Sequence, residues 1–446
     1  MSLLQRSRPD RVMAARADTF APVYPLNSGD DAGWQHARAS AGSIDHGTRI
    51  RMPHAQSRHS GESDSPGAPV QAPRTTAGEN ASGAVGQRPR CALVMAGGTG
   101  GHIFPGLAVA NALRAQGWTV CWLGGKGNAR GASMESRLVP PQGFRFEALD
   151  FSGVRGKGVM PLLLLLLRLL RSFWQSIQIV RRVRPDVVIG LGGYITFPGA
   201  MMAVLLGKPL VLHEQNAVAG MANRVLAGVA DRVYTAFPDV LAKAQWVGNP
   251  LRREFIDQLP PEKRFNNRTG PLRVLVVGGS LGARVLNDTV PQALALIEPD
   301  ARPQVLHQSG ASQIDALRAN YARAGVDAEL TPFIDDMASA FANADLVVCR
   351  AGASTVTEIA AIGVAALFVP IASAVDDHQT RNARFLVDQG GGWLMPQADL
   401  EPQRLAQFFQ QATRENLLAC AATARRSART DATTHVARAC AELVTS

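Results

Sequence analysis

The chain has 446 residues, 46 Lys and Arg against 36 Asp and Glu, a formal charge of +10, and 46% hydrophobic residues. With domains of about 100 to 200 residues, that length excludes a single small module and allows two or three domains, each with its own core. The basic residues are dispersed, with no aromatic-interleaved stripe, so nucleic acid is not the expected partner; diphosphates and acidic lipid headgroups suit such a surface better.

Residues 1–88 are rich in Ser, Gly, Ala, Pro, Arg and Asp and show no sustained period of 2 or 3.6, so a disordered extension is expected. Arg6, Arg8 and Arg11 lead into mixed polar sequence, which is not the order of a secretory signal. Order is expected from Arg90, where Cys91-Ala-Leu-Val-Met-Ala96 reads as a buried parallel strand. Strand-like runs recur at 119–123, 186–190, 209–212, 232–235, 272–277, 304–307, 345–349 and 365–369, with helix-period segments between them. That alternation predicts an α/β protein of βαβ units, with parallel sheets covered on both faces. Strand-then-glycine openings at 93–101 and 272–282 mark two Rossmann-like halves, hinged near Gly248-Asn249-Pro250. The expected divisions are 1–88, 89–249, 250–424 and a final helix within 425–446. The site belongs in the cleft, beyond the carboxyl ends of the strands.

Gly97-Gly98-Thr99-Gly100-Gly101-His102 lies between a strand and a helix that Pro105 suits in its first turn. Glycines let backbone approach an anion, and the helix start offers free N–H groups. The spacing is neither G-x-G-x-x-G nor G-x-x-x-x-G-K-[ST], and a merely tight turn is the plain alternative. His102 fits a general base, an anion contact, or a histidine satisfied by nearby backbone. Leu191-Gly-Gly-Tyr194 and His213-Glu-Gln-Asn216 turn polar groups toward the cleft, where leaving them unpaired is costly. Asn216 and Glu214 are the better functional candidates there, against a structural hydrogen-bonded loop. In the second half, Thr355 and Glu358 fit a capping box; alternatively Glu358 accepts from a ribose diol while Ser354 and Thr355 face a diphosphate at the helix start. Ser280 and Arg252 are further candidate phosphate contacts.

The five cysteines are far apart, with no metal-ligand spacing, and read as reduced core residues. No run of about 18 apolar residues is present to span a bilayer. The segment from Pro161 to Trp174, with six consecutive leucines, is either a core helix or an interfacial one. The leucine run exceeds one core-facing stripe and favours a membrane surface, with Lys157, Arg168 and Arg171 toward headgroups and Trp174 at the interface.

These motifs, together with Gly-Asn-Pro-Leu-Arg at 248–252, Gly-Gly-Ser at 278–280, Phe-Ile-Asp-Asp-Met at 333–337 and Asp-His-Gln at 377–379, resemble the MurG family over about residues 90–440. That family adds N-acetylglucosamine to undecaprenyl-diphosphoryl-N-acetylmuramoyl-pentapeptide (lipid I), giving lipid II. The resemblance implies a GT-B fold: an acceptor and membrane-associating half, a UDP-N-acetylglucosamine half, and a last helix that packs back on the first. By matching position it implies donor contacts at Thr99, Gly100, Gly101, Asn216, Arg252, Ser280, Ile334, Ala353, Ser354, Thr355, Val356, Thr357, Glu358 and Gln379, with uracil beside Ile334 and ribose on Glu358. Implied partners are UDP-N-acetylglucosamine, lipid I, an anionic phospholipid surface on the cytoplasmic face of the bacterial inner membrane, and cell-division or cell-wall synthesis proteins. No cofactor and no metal are implied. Leu281 and His378 depart from the family, standing where many members carry Gln. The expected chemistry is a single inverting displacement, with glycine-loop amides and helix N-termini stabilising the departing diphosphate. His102 is the first candidate base and Glu214 the second. The rival readings are a UDP-N-acetylglucosamine 2-epimerase, which the leucine-rich patch argues against, and a nucleotide-sugar sensor, which would bind donor without turnover.

Overall fold

The computed structural model describes residues 88–127, 131–150, 159–371 and 377–445. Nearly all of the expected disordered extension lies outside the described residues, as do Lys157 and the side chains of the leucine run through Leu166.

The first sheet holds β1 (Cys91–Met95), β2 (Thr119–Gly125), β3 (Arg145–Leu149), β4 (Val187–Gly190), β5 (Leu210–Glu214), β6 (Arg232–Thr235) and β7 (Gln245–Trp246), in the order β3-β2-β1-β4-β5-β6-β7. The second holds β8 (Arg273–Val277), β9 (Gln304–Gln308), β10 (Glu329–Thr331), β11 (Leu346–Cys349), β12 (Ala365–Phe368) and β13 (Trp393–Leu394), in the order β10-β9-β8-β11-β12-β13. The described pairings are parallel throughout. Central strands are apolar on both faces because each face carries a helical layer. Ala92 and Val94 of β1 enter one core while Cys91, Leu93 and Met95 enter another. In β8, Val274 and Val276 part in the same way from Leu275 and Val277.

Strand order reverses between β1 and β4 in the first sheet and between β8 and β11 in the second. A crevice opens at such a switch point because the helices on either side leave in opposite directions. The loops that leave these four strands are the glycine-rich segments beginning at Gly97, Leu191, Gly278 and Arg350. Topology therefore gathers four of the polar loops of the sequence into two crevices, one per half, with His213-Glu-Gln-Asn216 following the next strand, β5.

The chain crosses between the halves twice, after β7 and again after the helix Arg414–Arg426. The final helix, Ala432–Thr445, packs on Gly100–Ala115, and its Val436, Ala437 and Cys440 share a core with Val94 and Ile103. The crossings touch at Gly248, which has φ 87°; a Cβ there would meet the Arg429 carbonyl oxygen at 2.6 Å.

The helix Val159–Val183 serves two environments. Ile179, Val180 and Val183 pack beneath the first sheet, whereas Leu167, Leu170 and Trp174 are exposed, spaced to share one helical face. No helix among the described residues is long and apolar enough to cross a membrane. All five cysteines are buried and free.

Candidate functional site

The first glycine loop is held open by a buried carboxylate. Glu135 accepts from the N–H of Gly98 (3.3 Å) and of Gly125 (2.9 Å), and is fully buried. Gly193, at φ 87°, lies so close that a Cβ would approach the Gly97 carbonyl oxygen to 2.4 Å. Two switch-point loops thus stack backbone on backbone, which only glycine permits.

His102 occupies the first turn of Gly100–Ala115, whose N-cap, Thr99, leaves the helix start without a side-chain cap. The imidazole is bonded to a side chain rather than to backbone: its Nδ1 lies 2.9 Å from Oε1 of Gln215. Gln215 Nε2 reaches His213 Nδ1 at 3.0 Å and the His213 carbonyl at 3.1 Å, and His213 Nε2 meets the Gly248 carbonyl at 2.9 Å. His213 is fully buried, and desolvation pushes its pKa down to about 4.

Glu214 sits at the end of β5 with both carboxylate oxygens engaged. Oε1 accepts from the Asn216 backbone (2.9 Å) and side chain (3.3 Å), Oε2 from Gly220 N–H (3.2 Å) and Asn223 Nδ2 (2.8 Å). Four donors on one carboxylate satisfy both of its oxygens and shape the loop that follows. That loop, with His102, Gly192, Gly193, Tyr194 and, from the second half, His378, lines a cavity of about 290 Å³.

In the second half the capping-box reading of Thr355 and Glu358 is corrected. The helix Ala353–Ile362 starts earlier than the box requires, with Gly352 as its N-cap in extended conformation and no side-chain cap bond. Glu358 is therefore the sixth helical residue, too far along to reach the cap. Its side chain is buried, no described donor hydrogen-bonds it, and desolvation pushes its pKa up to about 7 against the opposing pull of Arg252. Ser354 Oγ donates to the Gly101 carbonyl at 3.4 Å, so the N-termini of Gly100–Ala115 and Ala353–Ile362 converge across the cleft. Two positive dipole ends and uncapped N–H groups at one point are the arrangement that suits an anion.

The other expected contacts spread around this point. Ala353 and Val356 are buried, so only their backbone faces the site, and Thr357 turns inward to accept from Asn249 Nδ2 at 3.2 Å. Arg252 lies over Phe104 (4.9 Å) and Phe255 (4.7 Å) and pairs with Glu254 at 3.1 Å, its buried Nε without a partner among the described residues. Ser280 is exposed on the loop after β8, and Ile334 is half-buried against the core beneath β11. Gln379 accepts from the Ile371 N–H at 3.0 Å, beside a segment outside the described residues. No cluster of three or more potential metal-ligating side chains occurs among the described residues.

Sequence reasoning overlooked Glu135 and Asn382. Asn382 is fully buried and ties the halves together, accepting from Ala217 N–H at 2.8 Å and donating to the Ala351 carbonyl at 3.1 Å. A single Asn inside a polar helical segment gives no local signal of such a role.

Two parallel-sheet, Rossmann-like halves with two helix starts converging between them are the architecture of a glycosyltransferase of the GT-B type. Residues 92–235 match the glycosyltransferase family 28 N-terminal domain and residues 273–438 its C-terminal domain. The chain belongs to that family and, within it, to the MurG transferases. It is 70% identical over 354 residues, 79% of this chain and 92% of the other, to the UDP-N-acetylglucosamine--N-acetylmuramyl-(pentapeptide) pyrophosphoryl-undecaprenol N-acetylglucosamine transferase of Polaromonas sp. (strain JS666). The same-named transferase of Ralstonia nicotianae is 62% identical over 79% of this chain and 96% of its own length. The crystal structure of Acinetobacter baumannii MurG superposes with a TM-score of 0.69 at 40% identity, covering 79% of this chain and 100% of that one.

Proposed function

We propose that this chain transfers N-acetylglucosamine from UDP-N-acetylglucosamine to lipid I, forming the β-1,4-linked lipid II. The reaction is the one named for its relatives at 62 to 70% identity, which match it across both halves. The observation that carries the site reading is the convergence of two helix N-termini at Gly101 and Ser354. A UDP leaving group gains negative charge as the glycosidic bond breaks, and N–H dipoles already aimed at that point favour the transition state over the ground state.

In this reading the acceptor hydroxyl attacks the anomeric carbon from the cavity side, UDP departs toward the second half, and configuration inverts from α to β. His102 lines the cavity and takes the hydroxyl proton. Glu214, with both oxygens occupied by donors, is better suited to hold the loop carrying Asn216 than to exchange a proton. Thr99, Gly100, Gly101, Arg252, Ser280 and residues 353–355 surround the diphosphate, Glu358 accepts from the ribose, Ile334 lies beside the uracil, and Gln379 reaches the donor sugar. Leu167, Leu170 and Trp174, flanked by Arg168 and Arg171, rest the first half on anionic lipid at the cytoplasmic face of the inner membrane.

The test is transfer of labelled N-acetylglucosamine from its UDP donor to a lipid I analogue, in chelator, by wild type and His102→Ala. Lipid product from wild type with kcat about 10²- to 10⁴-fold lower in the variant is expected. Donor binding without product points to a sensor, free epimerised sugar to an epimerase, and a variant of undiminished kcat removes His102 as base.

A further inference from the structure

We infer that Gln215 is a positioning residue that fixes the tautomer of His102, accepting its Nδ1–H and leaving Nε2 with a lone pair for the cavity. The inference rests on the reading of His102 as base, but it makes a statement about protons that is measurable without turnover.

The argument starts at the far end of the chain of bonds. The Gly248 carbonyl can only accept, so His213 Nε2, 2.9 Å away, carries the hydrogen. His213 is fully buried, and desolvation keeps it neutral near pH 7, so its Nδ1 carries a lone pair that needs a donor. Gln215 Nε2 supplies it at 3.0 Å and also faces the His213 carbonyl at 3.1 Å. An amide is ordinarily hard to orient, but here two acceptors on one side fix which end is nitrogen. The amide oxygen is then the atom 2.9 Å from His102 Nδ1, and an oxygen there requires an N–H opposite. In the neutral ring the lone pair then lies on Nε2.

The same pocket explains Gly192. It holds φ 88°, and a Cβ there would lie 2.7 Å from His102 Nδ1 and 3.2 Å from Gln215 Oε1. A side chain at 192 would part the pair, so the glycine that closes the second loop also admits the bond. Because Gly248 lies at the crossing between halves, the orientation of the base is anchored in the hinge.

The test uses the full-length chain labelled with 15N-histidine. Two-bond 1H–15N spectra at pH 7.5 should show opposite tautomers for the two residues, His102 protonated on Nδ1 and His213 on Nε2, with His102 assigned by the signal lost in His102→Gln. In Gln215→Leu, His102 should shift toward the Nε2–H form that free imidazole prefers, with kcat lower by about tenfold or more and KM for UDP-N-acetylglucosamine changed by less than about threefold. If the leucine variant does not fold, the wild-type tautomers decide. A wild-type His102 protonated on Nε2, or a folded leucine variant with unaltered kcat, overturns the inference. Retained transfer in His102→Ala would instead sink the base reading while leaving the tautomer result standing.

Discussion

Two buried glutamates, one in each half, are treated in opposite ways. Glu214 has four donors on its carboxylate, whereas no described donor hydrogen-bonds Glu358, which burial pushes up to about 7. Around His213-Glu214-Gln215-Asn216 in the first half, polar groups bond one another and so hold a geometry before any substrate arrives. The second half keeps a desolvated carboxyl and an exposed Ser280, and its bare helix start faces the equally uncapped one at Thr99. On the proposed function, orientation would be stored mainly in the first half and affinity mainly in the second.

The largest expected effect separates the glutamates by stability. Glu214→Ala strips a shared acceptor from four loop donors, one of them on the buried Asn223, and leaves a cavity beneath the loop, at a cost of roughly 3 kcal/mol. A lower thermal midpoint, by about 5 °C or more, is expected from calorimetry at pH 7.5. An unchanged midpoint would show that the loop is held by something other than this carboxylate.

Acid sharpens the contrast next. His213 and His307 have folded pKa values near 4 and 3, below the ordinary 6.5, because both are buried. Between those values the unfolded chain binds more protons, so stability is full above about pH 6.5 and falls as pH drops toward 4, by on the order of a few kcal/mol. Glu358 has the reverse sign: its raised pKa makes the folded state hold the proton more tightly, so its stabilising share is present below about 4.5 and is lost as pH rises to about 7. Thermal midpoints measured from pH 7.5 down to 5 should fall, and should fall more steeply in Glu358→Gln, which removes the opposing contribution. A flat profile in both would break the assignment.

Glu358→Gln also tests where affinity resides. The apo protein should be no less stable at pH 8, since a buried charge is replaced by a neutral group. KM for UDP-N-acetylglucosamine should nonetheless rise about tenfold or more, as a charged acceptor for two hydroxyls is lost. Unchanged KM would move the ribose elsewhere.

The contrast was only partly legible in the sequence. The nine runs read as strands all lie in the two sheets, and the four strands not anticipated, β3, β7, β10 and β13, are the four sheet edges. Edge strands are buried on less of their surface, so Arg145-Phe-Glu-Ala-Leu149 carries no continuous apolar run, and two-residue strands carry no period at all. Polar loops after central strands were visible because glycine and polar residues interrupt an apolar run there. What joins the loops was not: the bond from His102 to Gln215 spans 113 positions, and the contact of Ser354 with Gly101 spans 253. The capping-box pattern misled because Gly352, with no side-chain signal of its own, begins the helix earlier than Thr355 suggests.

The smallest expected effect concerns Leu281, which is 81% exposed on the loop after β8 and stands where the resemblance places a glutamine. Its carbonyl already accepts from Gln313 Nε2 at 2.8 Å, so the backbone of the loop is held without help from the side chain. Replacing it by glutamine removes apolar surface from water and adds one amide beside the donor loop, and neither change touches the core. One net hydrogen bond to a neutral sugar hydroxyl is worth about 1 kcal/mol, so Leu281→Gln should lower the donor KM by no more than about fivefold and leave kcat and thermal midpoint alone. A larger gain would mean that the second half was short of a sugar contact that the first half does not provide. A loss would mean that the exposed leucine packs on the donor once the cleft is filled, and that affinity on this side of the cleft is partly apolar.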